Sequence, residues 1–244
     1  MDLRWDTDQV VRGSIALLHG LNASADDWWR IGPALARQGW AVEALDLPGH
    51  GDGPRLTGPM DIEQLVEGTL ERLRLDTDIL VAHSMGCTVA LEAASRRPGK
   101  VRALVLEEPV LGGPEPGLAE LVREDARHIA TDRAAAMVEQ QRRNPGWKPE
   151  DVERTIDGIL KAQTDMIADG LTVREPWRTA ELLAATTLPT LVLLAQPPRS
   201  VVLGADRDRL RSCADQVVEF PAGHSLHREL PTEWLRTVGE FLPS

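Results

Sequence analysis

Ser84 and His224 are the residues whose types and settings point most directly to chemistry. Ser84 stands in Ile79-Leu-Val-Ala-His-Ser84-Met-Gly86, where an apolar run gives way to a helical pattern. A strand that turns sharply into a helix pushes the serine hydroxyl out of the sheet and aims the first helical amides at whatever it attacks. The turn needs small residues two before and two after the serine, and Ala82 and Gly86 occupy those positions. Alanine replaces the first glycine of the usual Gly-x-Ser-x-Gly pattern but keeps its size requirement. His224 ends Phe220-Pro-Ala-Gly-His224, directly after the last apolar run. A histidine titrates close enough to neutral pH to take the serine proton. His227, three residues on, lacks the preceding glycine, which favours His224 as the base. The rival reading, a His-x-x-His metal site, has only Glu229 to complete it. No metal or organic cofactor is expected.

Acyl transfer also needs two fixed donors for the oxyanion. The segment His19-Gly20-Leu21 follows the first strong apolar run. The backbone N–H of Leu21 can supply one donor, and that of Met85, the residue after the serine, the other.

These groups need a scaffold. Short apolar runs at Ser14–Leu18, Trp40–Leu45, Ile79–Ala82, Val101–Leu106, Leu188–Leu194 and Gln216–Phe220 alternate with helical patterns, the mark of a parallel sheet flanked by helices. Asp61 is placed to cap the helix that runs to Leu75, and a last helix is predicted over Pro231–Phe241. Residues 111–186 contain no convincing strand and read as several polar helices. The organisation expected is a core of residues 1–110 and 187–244 interrupted by a helical cap over 111–186.

The chain has 244 residues and a formal net charge of -11, with 27 Lys and Arg against 38 Asp and Glu. That balance disfavours nucleic acid or an anionic membrane surface as a partner. Two cysteines, Cys87 and Cys213, make no disulfide framework, and no apolar run is long enough to span a bilayer. A cytoplasmic protein, monomer or homodimer, acting on a small molecule is expected.

Together, His19-Gly20, Asp46-Leu-Pro-Gly-His50-Gly51, His83-Ser84-Met85-Gly86 and Pro221-Ala-Gly-His224 resemble the α/β-hydrolase fold family over nearly the whole chain. The resemblance implies an eight-stranded, mostly parallel sheet with helices on both faces and an inserted helical cap. With so short an N-terminus, the first family strand is expected to be missing, leaving seven, or reduced to Leu3–Trp5. It also implies that Asp46 and His50 brace the loop after the second strand without taking part in catalysis.

The third partner, an acid for the histidine, departs from the common family pattern. Most relatives carry it after the seventh strand, where this chain reads Ala195-Gln-Pro-Pro-Arg199, without a carboxylate. Asp206 and Asp208 come later and read equally well as the first turn of a surface helix. Haloalkane dehalogenases and zearalenone lactone hydrolases carry the acid at the end of the sixth strand, which here ends in Leu106-Glu107-Glu108-Pro109. The matching position is Glu108. Successive strand residues face opposite ways, so Glu107 cannot also address His224, and an Arg on the cap is the alternative, purely structural partner for Glu107.

A serine at the turn argues against alkyl-enzyme chemistry, and the absence of tyrosine removes the lid tyrosines of epoxide hydrolases. The expected activity is hydrolysis of a hydrophobic ester or lactone through an acyl-enzyme. Trp28, Trp147, Trp177 and Met137 are the candidate substrate contacts, with Met166 and Ile167 as further lid candidates. A carbon–carbon bond hydrolase or lyase on the same three residues, a non-catalytic binding member and a cofactor-free oxygenase remain open.

Overall fold

Seven strands build one sheet in the computed structural model, which describes residues 2–173 and 177–243. They are β1 (Leu3–Trp5), β2 (Gly13–Leu18), β3 (Trp40–Leu45), β4 (Ile79–His83), β5 (Ala103–Glu107), β6 (Thr190–Ala195) and β7 (Gln216–Phe220). Their order is β1-β3-β2-β4-β5-β6-β7. All neighbours run parallel except β1, which pairs antiparallel with β3 and forms one edge. The count is the lower of the two expected, and Leu3–Trp5 forms a short antiparallel edge strand.

Side-chain alternation divides the apolar core between the two faces of the sheet. From β2, Ile15 and Leu17 join one buried cluster, with Trp28, Trp40 and Trp234. Ala16 and Leu18 join the other, with Leu65, Val89 and Leu91. The helices α1 (Ile31–Ala36), α2 (Ile62–Arg72), α3 (Met85–Arg96) and, later, α11 (Pro231–Phe241) cover these faces. Asp61 caps α2 by accepting from the Gln64 amide at 2.7 Å. Two strands begin later than the apolar pattern predicts. Pro189 lacks an N–H, so it contributes only its carbonyl, to the Leu104 amide (2.9 Å), and β6 starts at Thr190.

Between β5 and β6 lie α4 (Leu118–Thr131), α5 (Arg133–Arg143), α6 (Pro149–Lys161), α7 (Thr164–Thr172) and α8 (Thr179–Ala185). Ile129, Ala136, Val152, Ile156 and Ile159 form a separate small core among α4, α5 and α6. Helix α8 instead packs on α3, where the hydroxyls of Thr88 and Thr179 lie 2.6 Å apart. Residues 174–176 of the 111–186 segment lie outside the described residues. The remaining helices are α9 (Ala205–Cys213) and α10 (Leu226–Glu229), either side of β7. Among the described residues, no helix is long and apolar enough to cross a membrane.

The loop after β3 is braced as the motif suggests. Asp46 accepts from the amides of Ala25 (2.7 Å) and Asp52 (3.0 Å). His50 is buried against His19, with its Nδ1 3.0 Å from the Pro48 carbonyl. Burial pushes its pKa down to about 3, so it stays neutral in the folded chain. The unfolded chain takes up this proton near pH 6.5, so stability is full above that pH and falls as the pH drops toward 3. Urea unfolding between pH 7 and 4 should show this loss, and His50→Gln should flatten the slope by up to about 1.4 kcal/mol per pH unit.

The start of α3 presses against the end of β2. A Cβ at Gly86 would stand 2.4 Å from the His19 carbonyl oxygen and 3.0 Å from that of Leu18. Both neighbours are backbone and cannot swing aside. Gly86→Ala should therefore lower stability by about 1–3 kcal/mol, read as a shift in the urea midpoint.

Candidate active site

β4 delivers Ser84 to the C-terminal edge of the sheet, and α3 begins at the next residue. Ser84 has φ +54° and ψ −121°, a backbone conformation that a serine adopts only when its surroundings force it. Two bonds hold it there: its amide donates to the Glu107 carbonyl (2.8 Å), and its carbonyl accepts from the Cys87 amide (3.0 Å). The loop after β2 packs directly beside it, since a Cβ on Gly20 would lie 3.0 Å from the Ser84 Cβ. Asn22, with φ +54°, turns this loop over the serine. Leu21, Ser84 and Met85 all line one cavity of about 510 Å³. Met85 is the first residue of α3, so its N–H precedes the intrahelical bonds and is free to face a ligand.

His224 also lines this cavity, about a third exposed, and its Nδ1 stands 3.3 Å from Glu108 Oε2. Glu108 itself has no exposed surface. Its Oε1 accepts from the Ala195 amide (2.8 Å) and the Ser200 hydroxyl (2.7 Å), and its Oε2 from the Val201 amide (2.8 Å). The loop after β6, which lacks a carboxylate of its own, thus supplies donors to one that arrives from β5. Arg207, buried beneath, fixes this loop by donating from Nη1 to the carbonyls of Ala195 (3.0 Å) and Val202 (3.1 Å). Of the other candidate acids, Asp206 is exposed at the start of α9 on the cavity's edge. Asp208 pairs with Arg211 at 3.0 Å.

Glu107 points to the opposite side of the sheet, as strand alternation requires. Its partner is not a cap arginine. It accepts from His227 Nδ1 (2.8 Å) and Trp234 Nε1 (2.7 Å), both buried. Burial raises the Glu107 pKa and holds that of His227 down to about 3, so this histidine is neutral. The three groups of the rival metal reading are dispersed: His224 faces Glu108, His227 faces Glu107, and Glu229 pairs with Arg199 at 2.6 Å.

Trp147 and Trp177 line the cavity. Trp28 and Met137 do not. Trp28 is fully buried, its ring stacked on His227 at 4.3 Å, because the chain after Asn22 turns its apolar residues down into the core. Met137 packs against the small core of the inserted helices. Ile167 and Met166 of α7 likewise pack into the core cluster that contains Leu65 and Val89, and do not line the cavity.

Two neighbours of the site were not singled out as functional from the sequence. His83 is buried, and its Nε2 donates to the His224 carbonyl (3.0 Å) while its ring packs 4.6 Å from the His224 ring. Burial keeps its pKa well below the ordinary histidine value. Its place beside Ser84 was the only signal for it. Arg228 lines the cavity at 3% exposure and forms an ion pair with Asp27. Nothing in the sequence beyond its nearness to His224 marks it.

The α/β hydrolase fold family model matches residues 13–229. A 2-succinyl-6-hydroxy-2,4-cyclohexadiene-1-carboxylate synthase of Klebsiella pneumoniae is 24% identical, over 94% of each chain. A pimeloyl-[acyl-carrier protein] methyl ester esterase of Neisseria meningitidis is 40% identical over 92 residues, 38% of this chain and 35% of that protein. The enol-lactonase of Burkholderia xenovorans superposes with a TM-score of 0.76 at 18% identity, covering 99% of this chain and 95% of its own. With a match over so much of its length, the chain belongs to the α/β hydrolase fold family.

Proposed function

We propose that the protein hydrolyses a carboxylic ester or lactone through an acyl-enzyme on Ser84. The observation that carries this reading is the buried Glu108 carboxylate, held by three donors and presented to His224, on the cavity that also exposes the strained Ser84. His224 takes the hydroxyl proton as Ser84 Oγ attacks the carbonyl carbon, and the Leu21 and Met85 amides receive the oxyanion. Collapse expels the alcohol, protonated by His224. Water, deprotonated by the same histidine, then adds to the acyl carbon and releases the acid and free Ser84. Glu108 keeps Nδ1 protonated and steadies the imidazolium. The names of the methyl ester esterase and the enol-lactonase suit this reading. A relative that aligns over 94% of each chain is named a synthase and not a hydrolase, and the second reading is accordingly a carbon–carbon bond hydrolase or lyase on the same three residues.

A fluorophosphonate probe should label the wild-type chain at Ser84, and Ser84→Ala should lose both the label and turnover of a p-nitrophenyl ester. Lack of both label and turnover in the wild type would rule out the hydrolase. Glu108→Gln should lower kcat roughly 10³- to 10⁴-fold. That loss should exceed the effect of Asp206→Asn by at least about 100-fold, and the reverse order would move the acid to Asp206.

A further inference from the structure

The wall of the cavity carries a charged pair that the hydrolytic steps do not use. Arg228 lies four residues beyond His224, in α10, and Asp27 lies in the 3-10 turn Ala25–Trp28 that follows the oxyanion loop. They are 3% and 5% exposed, and both line the cavity that holds Ser84. Arg228 Nη2 pairs with Asp27 Oδ1, Nη1 donates to the Thr155 hydroxyl (2.5 Å), and the guanidinium lies 4.2 Å over the Trp147 ring. A guanidinium has five N–H donors. Among the described residues, its buried Nε has no hydrogen-bond partner. Leaving such a donor unmet costs free energy.

The charges around the pair decide what it would receive. Asp27 offsets the guanidinium. Among the described residues, the other carboxylates and cations of the lining are Glu115, Asp125 and Asp206, all acids, and of these Asp125 pairs with Arg143 at 3.1 Å. A substrate carboxylate would meet this surplus of negative charge. An uncharged group that both accepts and donates hydrogen bonds would not, and it matches a guanidinium beside a carboxylate.

Given the hydrolase reading above, we propose that Arg228 and Asp27 form a polar subsite for an uncharged oxygen function of the substrate, such as a carboxamide or hydroxyl, other than the bond that is cleaved. The natural substrate is then a bifunctional ester or lactone, not a simple alkyl ester.

The test uses p-nitrophenyl esters of medium-chain acids matched in length and ending in methyl, carboxamide or carboxylate. Wild type should favour the carboxamide over the methyl terminus by at least about tenfold in kcat/KM, with the carboxylate below the carboxamide. Arg228→Met should bring the carboxamide-to-methyl ratio to about one, whatever its overall rate. Asp27→Asn, which keeps Arg228 and leaves its charge unmatched, should raise the carboxylate above the carboxamide. This variant also carries the test if Arg228→Met does not fold. A purely structural pair would alter all three esters alike. Equal rates across the series in wild type, a ratio that survives Arg228→Met, or an unmoved carboxylate in Asp27→Asn would each overturn the subsite while leaving the hydrolase intact. No turnover of any ester and no label on Ser84 would remove both.

Discussion

A carboxylate with no exposed surface needs a donor on every side, and the site is organised around meeting that need at Glu108. An isolated ionised carboxyl in a protein interior costs several kcal/mol. Two backbone amides and a hydroxyl, from the last residue of β6 and the loop after it, offset that cost and leave one oxygen edge for His224. The dependence spreads outward. The loop must be rigid to present Ala195, Ser200 and Val201 together, and Arg207 makes it so from below. Glu108 must leave the strand at an angle that reaches them, and its φ of +50° is the local strain that this requires.

Strand alternation explains why two adjacent glutamates do unrelated work. Glu107 and Glu108 leave β5 on opposite sides, and each meets a histidine from the segment after β7. One pair faces the cavity. The other is closed in by Trp28 and Trp234 and ties α10 and α11 to the sheet. The same two residue types thus give a partly exposed histidine on the cavity in one case and a neutral, buried brace in the other, and only their surroundings differ.

Much of this was legible in the residues. The sheet was, because each buried parallel strand is a short apolar run bounded by Gly, Pro or Asp. Ser84 and His224 could be singled out from chain order and the size rule of the tight turn, and Glu108 from the family resemblance. The donors that hold Glu108 could not, because two of the three are backbone amides, which every residue except proline possesses. Trp28 was misplaced for a related reason. Its type says that it will be buried, but the direction in which a loop turns decides whether it meets substrate or core. The partner of Glu107 was missed because His227 lies 120 residues away and reads as a duplicate of His224.

The hydrogen bonds that fix Ser84 and Glu108 run to β5 and β6, through the Glu107 and Leu193 carbonyls. Neither residue's backbone is anchored in the inserted helices. The loop of His224 is different. Thr155 of α6 binds Arg228, and Arg30 bridges Asp151 of α6 to the Arg228 carbonyl. Ser84 and Glu108 are therefore built into the sheet, and His224 is the one of the three whose surroundings are tied to α6. A chain with different helices between β5 and β6 would keep Ser84 and Glu108 in register, and would have to re-tune the position of His224.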